Sequence, residues 1–243
     1  ALKILTTYGG NSDSQLIFLK DKRMFAYEKD GEPTVLLQFA CFNNKCIVMG
    51  DPSGKKEDFP EAIEAFIEET DRLCYLPVFY ETSEEIVMIL HEFGYDFIKM
   101  GEEAYVDLNS FTTSGKKMKG TRAVLNRIER EGFTFDVLQP PFSAEQMSIF
   151  KNISDNWLGS RKEKGFSLGF FSEDYLQRAP IAVVKNTQEE IVAFATIMPT
   201  YTNNKVGTID LMRYDPKKAP SGSMDFLFLH LFAYMKEKCK IGR

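Results

Sequence analysis

The stretches GFSLGFFSEDYLQRAPIAVVK (165–185), IVAFATIMP (191–199), IDLMRY (209–214) and SMDFLF (223–228) decide the fold. Short apolar runs at 181–185, 190–198 and 206–212 predict neighbouring strands, and the last carries an acid-x-x-base pair, Asp210 and Arg213. A turn through Pro220, Ser221 and Gly222 then leads into an apolar helix over Met224–Lys238, opened by Ser223 and Asp225. Clefts that do chemistry are often built at such strand-to-helix junctions.

Working outward, Phe133–Leu138 predicts a strand and Ser143–Trp157 a helix, with Ser143 and Gln146 spaced as a capping box. Upstream, 23–28, 34–42 and 45–49 predict three antiparallel strands, the first two joined by a hairpin turn at Lys29-Asp30-Gly31-Glu32. Phe59–Cys74 predicts a helix with Pro60 near its start and Ile63, Phe66, Ile67 and Thr70 on one stripe. Leu76–Tyr80 reads as a buried strand, Ser83–Phe93 as a capped helix, and Tyr95–Met100 with Ala104–Leu108 as a further strand pair. Both halves run from antiparallel strands into a helix, a duplication of topology without residue-level repetition.

Composition narrows the chemistry. With 243 residues the chain can bury one large core or two small ones. Its four cysteines, Cys41, Cys46, Cys74 and Cys239, lack CxxC spacing and sit in apolar contexts, so buried free thiols are expected and a metal site is not. The two histidines, His91 and His230, fall inside apolar helical stretches, which suits packing better than a base in a nucleophile–His device. Gly50 and Gly54 of VMGDPSGKK lack P-loop spacing, and a strand-ending turn accounts for them. Phe166, Phe170, Phe171 and Tyr175 could face a substrate or the core, and Trp157 reads as packing. No apolar run approaches the roughly 20 residues that span a bilayer, so the chain reads as soluble, as an excised domain of a larger membrane protein would.

The formal charge is −5, yet 116–130 holds Lys116, Lys117, Lys119, Arg122, Arg127 and Arg130 against Glu129 alone, with Arg161, Lys162 and Lys164 following. A helix with Val124, Leu125 and Ile128 as its buried stripe would leave a cationic face, either solvated or turned toward a polyanion.

YGGN near Tyr8, DKRMF (21–25), VMGDPSG (48–54), LNRIEREGF (125–133), WLGSRKEKGFSLGFF (157–171), DYLQR (174–178) and IDLMRY (209–214) occur in an order that resembles the C-terminal cytosolic domain of bacterial phosphatidylglycerol lysyltransferases, the multiple peptide resistance factor family. The resemblance covers nearly the whole chain. It implies an α/β (α+β) tandem GNAT-like acyltransferase fold: two mixed sheets flanked by helices, a first subdomain over 1–114, a basic connecting helix over 115–132 and a second subdomain over 133–243. The family sequence continues into further strands where this one stops, so the second subdomain is expected to be truncated.

The implied reaction moves an amino acid, lysine in the best-known members, from its tRNA to the glycerol headgroup of phosphatidylglycerol. The product is a cationic lipid that confers resistance to cationic antimicrobial peptides. No cofactor or metal is implied; the partners are aminoacyl-tRNA, phosphatidylglycerol and an N-terminal transmembrane region, and the place is the cytoplasmic face of the membrane. Asp210 and Arg213, matching the family's DLMR motif, are the expected catalytic pair; an ordinary strand-end ion pair is the alternative. Lys116, Lys119, Arg122, Arg127, Arg130 and Arg161 are candidates for tRNA or lipid phosphate. Glu163, Phe170 and Asp225 are candidates for the amino-acid pocket, and Glu173 and Asp174 are further carboxylates for a lysine ammonium. A Fem-type aminoacyl transferase and a non-catalytic tRNA- or membrane-binding module remain as other readings. The 217–224 stretch KKAPSGSM matches an acetyl-CoA pyrophosphate loop poorly.

Overall fold

A computed structural model describes residues 1–203 and 206–242; Arg243, where the second expected subdomain ends, lies outside them. The chain divides into two units, one of Ala1–Ala104 with Gly165–Ser167 and Thr200–Asn203, the other of Tyr105–Lys164, Leu168–Pro199 and Asn204–Arg243.

The first unit begins with α1 (Leu2–Tyr8) and a 3-10 turn over Ser14–Leu19, neither of which the sequence reading foresaw. β1 (Arg23–Lys29) and β2 (Glu32–Phe42) form the expected hairpin. Its turn residues Asp30 and Gly31 have φ of 54° and 82°, the left-handed pair that a two-residue hairpin turn requires. β3 (Lys45–Met49) pairs with β2, and the short β4 (Ser53–Gly54) returns to pair with β2 as well. Helix α2 (Phe59–Arg72) then crosses over, so that β5 (Leu76–Tyr80) lies parallel to β3 before α3 (Glu84–Glu92). Alternation along β2 sorts the sheet's faces: Val35 and Leu37 meet Ala62, Ile63, Phe66, Ile86 and Leu90, while Leu36 turns to Ile4, Leu5 and Ile17. Phe66 is met edge-on by Phe25, Phe39 and Phe79, at centroid distances of 5.4, 5.1 and 6.3 Å.

The YGGN and GDPSG motifs turn out to be one buried polar joint. Asn11 Nδ2 donates to the carbonyls of Asp51 and Pro52, and Ser14 Oγ lies 2.7 Å from Ser53 Oγ. Asp51 in turn accepts the N–H of Ser83 at 2.8 Å, just ahead of α3, where the expected Ser83 cap makes no side-chain bond to the helix, and burial pushes the Asp51 carboxyl above the ordinary range against that bond. Within DKRMF, the fully buried Lys22 donates to the Phe166 carbonyl at 2.7 Å and Asp21 accepts the Phe166 N–H at 2.8 Å.

Three expectations for this unit are corrected. Cys41 and Cys46 are disulfide-bonded: they are register partners across β2 and β3 with Cα atoms 4.3 Å apart, a proximity that a spacing of five residues does not advertise. Cys74 is exposed. β5 is an edge strand whose apolar residues do not signify burial, with Leu76 and Val78 exposed. The strand pair over 95–108 does not form, and Ile98 and Met100, part of its apolar signal, are 84% and 79% exposed.

The second unit opens with the basic helix α4 (Lys119–Arg130), followed by β6 (Thr134–Leu138), α5 (Ala144–Leu158) and the single turn α6 (Glu173–Leu176). β7 (Ile181–Lys185), β8 (Ile191–Met198), β9 (Thr208–Tyr214) and α7 (Ser223–Glu237) complete it. The sheet order is β6-β7-β8-β9. Mixed pairing was expected in both sheets, but these four strands pair antiparallel throughout, because no helical crossover here delivers a parallel neighbour as α2 does. The capping box on α5 is complete: Ser143 Oγ accepts the Gln146 N–H and Gln146 Oε1 accepts the Ser143 N–H. Ala182, Val184, Ala193, Ala195 and Ile197 face Ile128 of α4 and Phe226, Leu227, Leu231 and Met235 of α7. Phe194, on the opposite face, meets Phe150 of α5 at 5.2 Å. Val124 and Leu125 of α4 pack partly buried beside Ile128, as the stripe predicts.

Gly54 has φ of +126°, and a Cβ there would lie 2.2 Å from the Thr34 carbonyl oxygen, a backbone atom with nowhere to go. Gly54→Ala is expected to destabilise the protein by more than about 2 kcal/mol, read as a lower midpoint in urea unfolding.

Candidate functional site

Residues three apart on a regular strand project to opposite faces of a sheet, so Asp210 and Arg213 should be separated by β9 itself. A β-bulge prevents this. Ala195 is paired with Met212 and Ile197 with Ile209, so Asp210 and Leu211 together oppose the single residue Thr196. The Leu211 N–H, displaced from the ladder, donates to the buried Thr196 hydroxyl at 3.0 Å. The extra residue resets the alternation and puts Asp210 and Arg213 on the α5 face.

The carboxylate of Asp210 is gripped at both oxygens. Oδ1 accepts the Gly169 N–H at 2.8 Å, and Oδ2 accepts the hydroxyl of Tyr175 at 3.0 Å. Gly169 has to be glycine, since a Cβ there would stand 1.8 Å from Asp210 Oδ2. Arg213 is 8% exposed, and its guanidinium lies over the Trp157 ring, 4.0 Å from the centroid. Nη1 donates to the Met212 carbonyl at 3.0 Å and Nη2 to Glu163 Oε2 at 3.1 Å, while Nε is buried without a hydrogen-bond partner among the described residues. Burial pushes this guanidinium below its ordinary range; Glu163 and then Asp210 oppose that, and Arg161 adds to it. An arginine stays charged through such a shift, so the site presents a fixed cation beside the Asp210 carboxyl.

Of the residues expected at a site, Asp210, Arg213, Glu163 and Arg161 are brought together, Arg161 by lying over the same Trp157 ring at 4.2 Å. Arg161 also donates to the Trp157 and Leu158 carbonyls. On and before α4, Lys116 and Lys119 are exposed, whereas the arginines are engaged with backbone. Arg122 donates to the carbonyls of Thr113 and Gly115, Arg127 to Ser221, and Arg130 to Asn126 of its own helix. Phe170 is half-buried and Asp225 is exposed on the first turn of α7. Sequence reading sets Trp157 down as packing, leaves Tyr175 between facing a substrate and facing the core, and gives Gly169 no part in the site. The one signal for them is that all three fall inside the WLGSRKEKGFSLGFF and DYLQR motifs.

His230 is packed, as expected, between the rings of Phe135 and Phe226, at centroid distances of 5.5 and 4.4 Å. Its Nε2 is 3.6 Å from Glu129, which favours protonation, but burial outweighs that carboxylate and pushes the imidazole below its ordinary 6.5.

The family described as "Phosphatidylglycerol lysyltransferase, C-terminal" matches residues 2–241. The chain belongs to this family. It is 50% identical over 234 residues to the phosphatidylglycerol lysyltransferase of Bacillus subtilis (strain 168), covering 96% of this chain and 27% of that protein. The chain thus spans about a quarter of that relative's length. Among solved structures, L-PGS from Bacillus licheniformis superposes with a TM-score of 0.93 at 53% identity, over 98% of this chain and 71% of that one. FemX, at 10% identity, superposes with a TM-score of 0.58 over 97% of this chain and 83% of its own, a likeness of fold alone. The tandem GNAT-like acyltransferase fold implied by the motifs is the fold observed.

Because folded His230 resists the proton that the unfolded chain accepts, its contribution to stability is intact above pH 6.5 and is lost as pH falls below that value. His230→Gln is expected to flatten the acid side of a plot of Tm against pH between roughly 7 and 5. Parallel curves for the two proteins would contradict a neutral, half-buried imidazole.

Proposed function

We propose that this chain is the transferase domain of a longer membrane protein that moves lysine from lysyl-tRNA to the glycerol headgroup of phosphatidylglycerol at the cytoplasmic face of the membrane. The longer protein would carry an N-terminal transmembrane region, and its cationic product would lower the negative charge that draws antimicrobial peptides to the bilayer. What supports the reading is the same-face pair of Asp210 and Arg213, set by the bulge in β9, within a chain of this family.

The chemistry asks little beyond placement and charge. An aminoacyl ester is already activated, so the glycerol hydroxyl oxygen attacks the ester carbonyl, the bond to the ribose oxygen breaks, and the hydroxyl proton ends on that ribose oxygen. Holding the two reactants in attack geometry and stabilising the developing oxyanion lower the barrier. In this reading Asp210 receives a proton from the hydroxyl or fixes an ammonium of the lysine, and Arg213 offers planar donors to a phosphate or to the oxyanion. The exposed cations Lys116 and Lys119 would meet one of the two anionic substrates. Arg122, Arg127 and Arg161, occupied with carbonyls, would shape those surfaces rather than bind.

The test is transfer of radiolabelled lysine from lysyl-tRNA to phosphatidylglycerol in detergent micelles by the full-length protein that carries this chain, with alanyl- and arginyl-tRNA as competing donors. Labelled lipid is expected with lysine. Asp210→Ala should lower the rate by at least about 100-fold, and Arg213→Lys, which keeps charge but loses the fork and the stacking, by about 100-fold. No labelled lipid from the wild-type protein with any of the three donors would overturn the reading.

A further inference from the structure

We infer that Tyr175 is a positioning residue of the transfer reaction: its hydroxyl, together with the Gly169 N–H, holds the Asp210 carboxylate in its working orientation. The inference rests on the catalytic reading of Asp210 given above.

Tyr175 is 0% exposed, so its hydroxyl has exchanged water for whatever the interior offers. Among the described residues, Asp210 Oδ2 at 3.0 Å and Met198 Sδ at 3.1 Å lie within reach as acceptors. A phenol has one proton to give, and a carboxylate is a far stronger acceptor than a thioether, so the proton is directed at Asp210. The residue that aims it is itself fixed. α6 is a single turn, yet Gln177, just beyond it, accepts the Phe142 N–H and donates to the Phe142 carbonyl, both at 2.8 Å. DYLQR thus contributes one side chain to Asp210 and another to its own anchorage.

The opposite oxygen is set with equal stringency. The Gly169 N–H donates to Oδ1 at 2.8 Å from a backbone so close that no side chain fits between them. A carboxylate on a short side chain at a bulge has two torsions to settle, and donors at both oxygens settle them. Among the described residues, Arg213 is held by Trp157 and Glu163. A buried tyrosine serving packing alone would contribute ring area, and phenylalanine would replace it without loss. The geometry here makes the hydroxyl the part that matters.

A double-mutant cycle tests this with the full-length protein in the lysyl-transfer assay, using Tyr175→Phe, Asp210→Asn and the pair. Y175F is expected to keep its Tm and its KM for phosphatidylglycerol while kcat falls by roughly 10- to 100-fold, the scale of a displaced catalytic group. In the background of D210N it should cost nothing more, because it acts through the carboxylate that D210N has altered. Wild-type kcat for Y175F, or losses that multiply in the double variant, would overturn the inference while leaving Asp210 in place. An Asp210→Asn protein with wild-type kcat would overturn the catalytic reading itself, and this inference with it. Should Y175F not fold, Gly169→Ala decides through the other oxygen: non-additivity with D210N supports the clamp, and full activity refutes it.

Discussion

One extra residue in one strand organises the second unit. Pairing Asp210 and Leu211 against Thr196 costs β9 a regular ladder step, which the Thr196 hydroxyl replaces by accepting the orphaned amide of Leu211. Without that substitution a buried N–H would stand unsatisfied, and the bulge would be expensive. With it, the strand carries an acid and a base to the same face, where α5 supplies Trp157, the following segment supplies Glu163 and Gly169, and α6 presents Tyr175. Among the described residues, these polar groups are arranged around a phase shift in the pairing of β9.

Much of the architecture was open to reading because the signals were local. Asp30 and Gly31 occupy the positive-φ positions of a hairpin turn, and Ser143 with Gln146 writes the start of α5. The stripe on α4 likewise gives a face as well as an element, whereas the continuous apolar runs of β7 and β8 give strands without their faces. What stayed hidden depends on partners distant in sequence. IDLMRY sets two apolar residues between its charges, and only the register against β8 reveals which residue is doubled. The Cys41–Cys46 pairing needs the same kind of information, since it follows from the β2–β3 register rather than from spacing. The apolar residues of 95–100 show the converse, an alternation for which the sheet provides no neighbour.

The site divides along the same line. Asp210 and Arg213 stood out as charges on an apolar strand, but a carboxylate's orienting donors include backbone amides, which have no letter in the sequence. Gly169 carries its meaning through the atom it lacks. The arginines of α4 illustrate a different limit: composition counts charges, whereas the structure shows which have been committed to carbonyls. Arg122 and Arg127 hold neighbouring backbone, whereas Lys116 and Lys119 at the helix start are exposed.

Trp157 is the only tryptophan in the chain, and two guanidinium groups lie over its ring. The indole is therefore a built-in optical reporter: any occupant of the site that draws either arginine away alters the field across the ring. Its emission follows occupancy directly, with no label added.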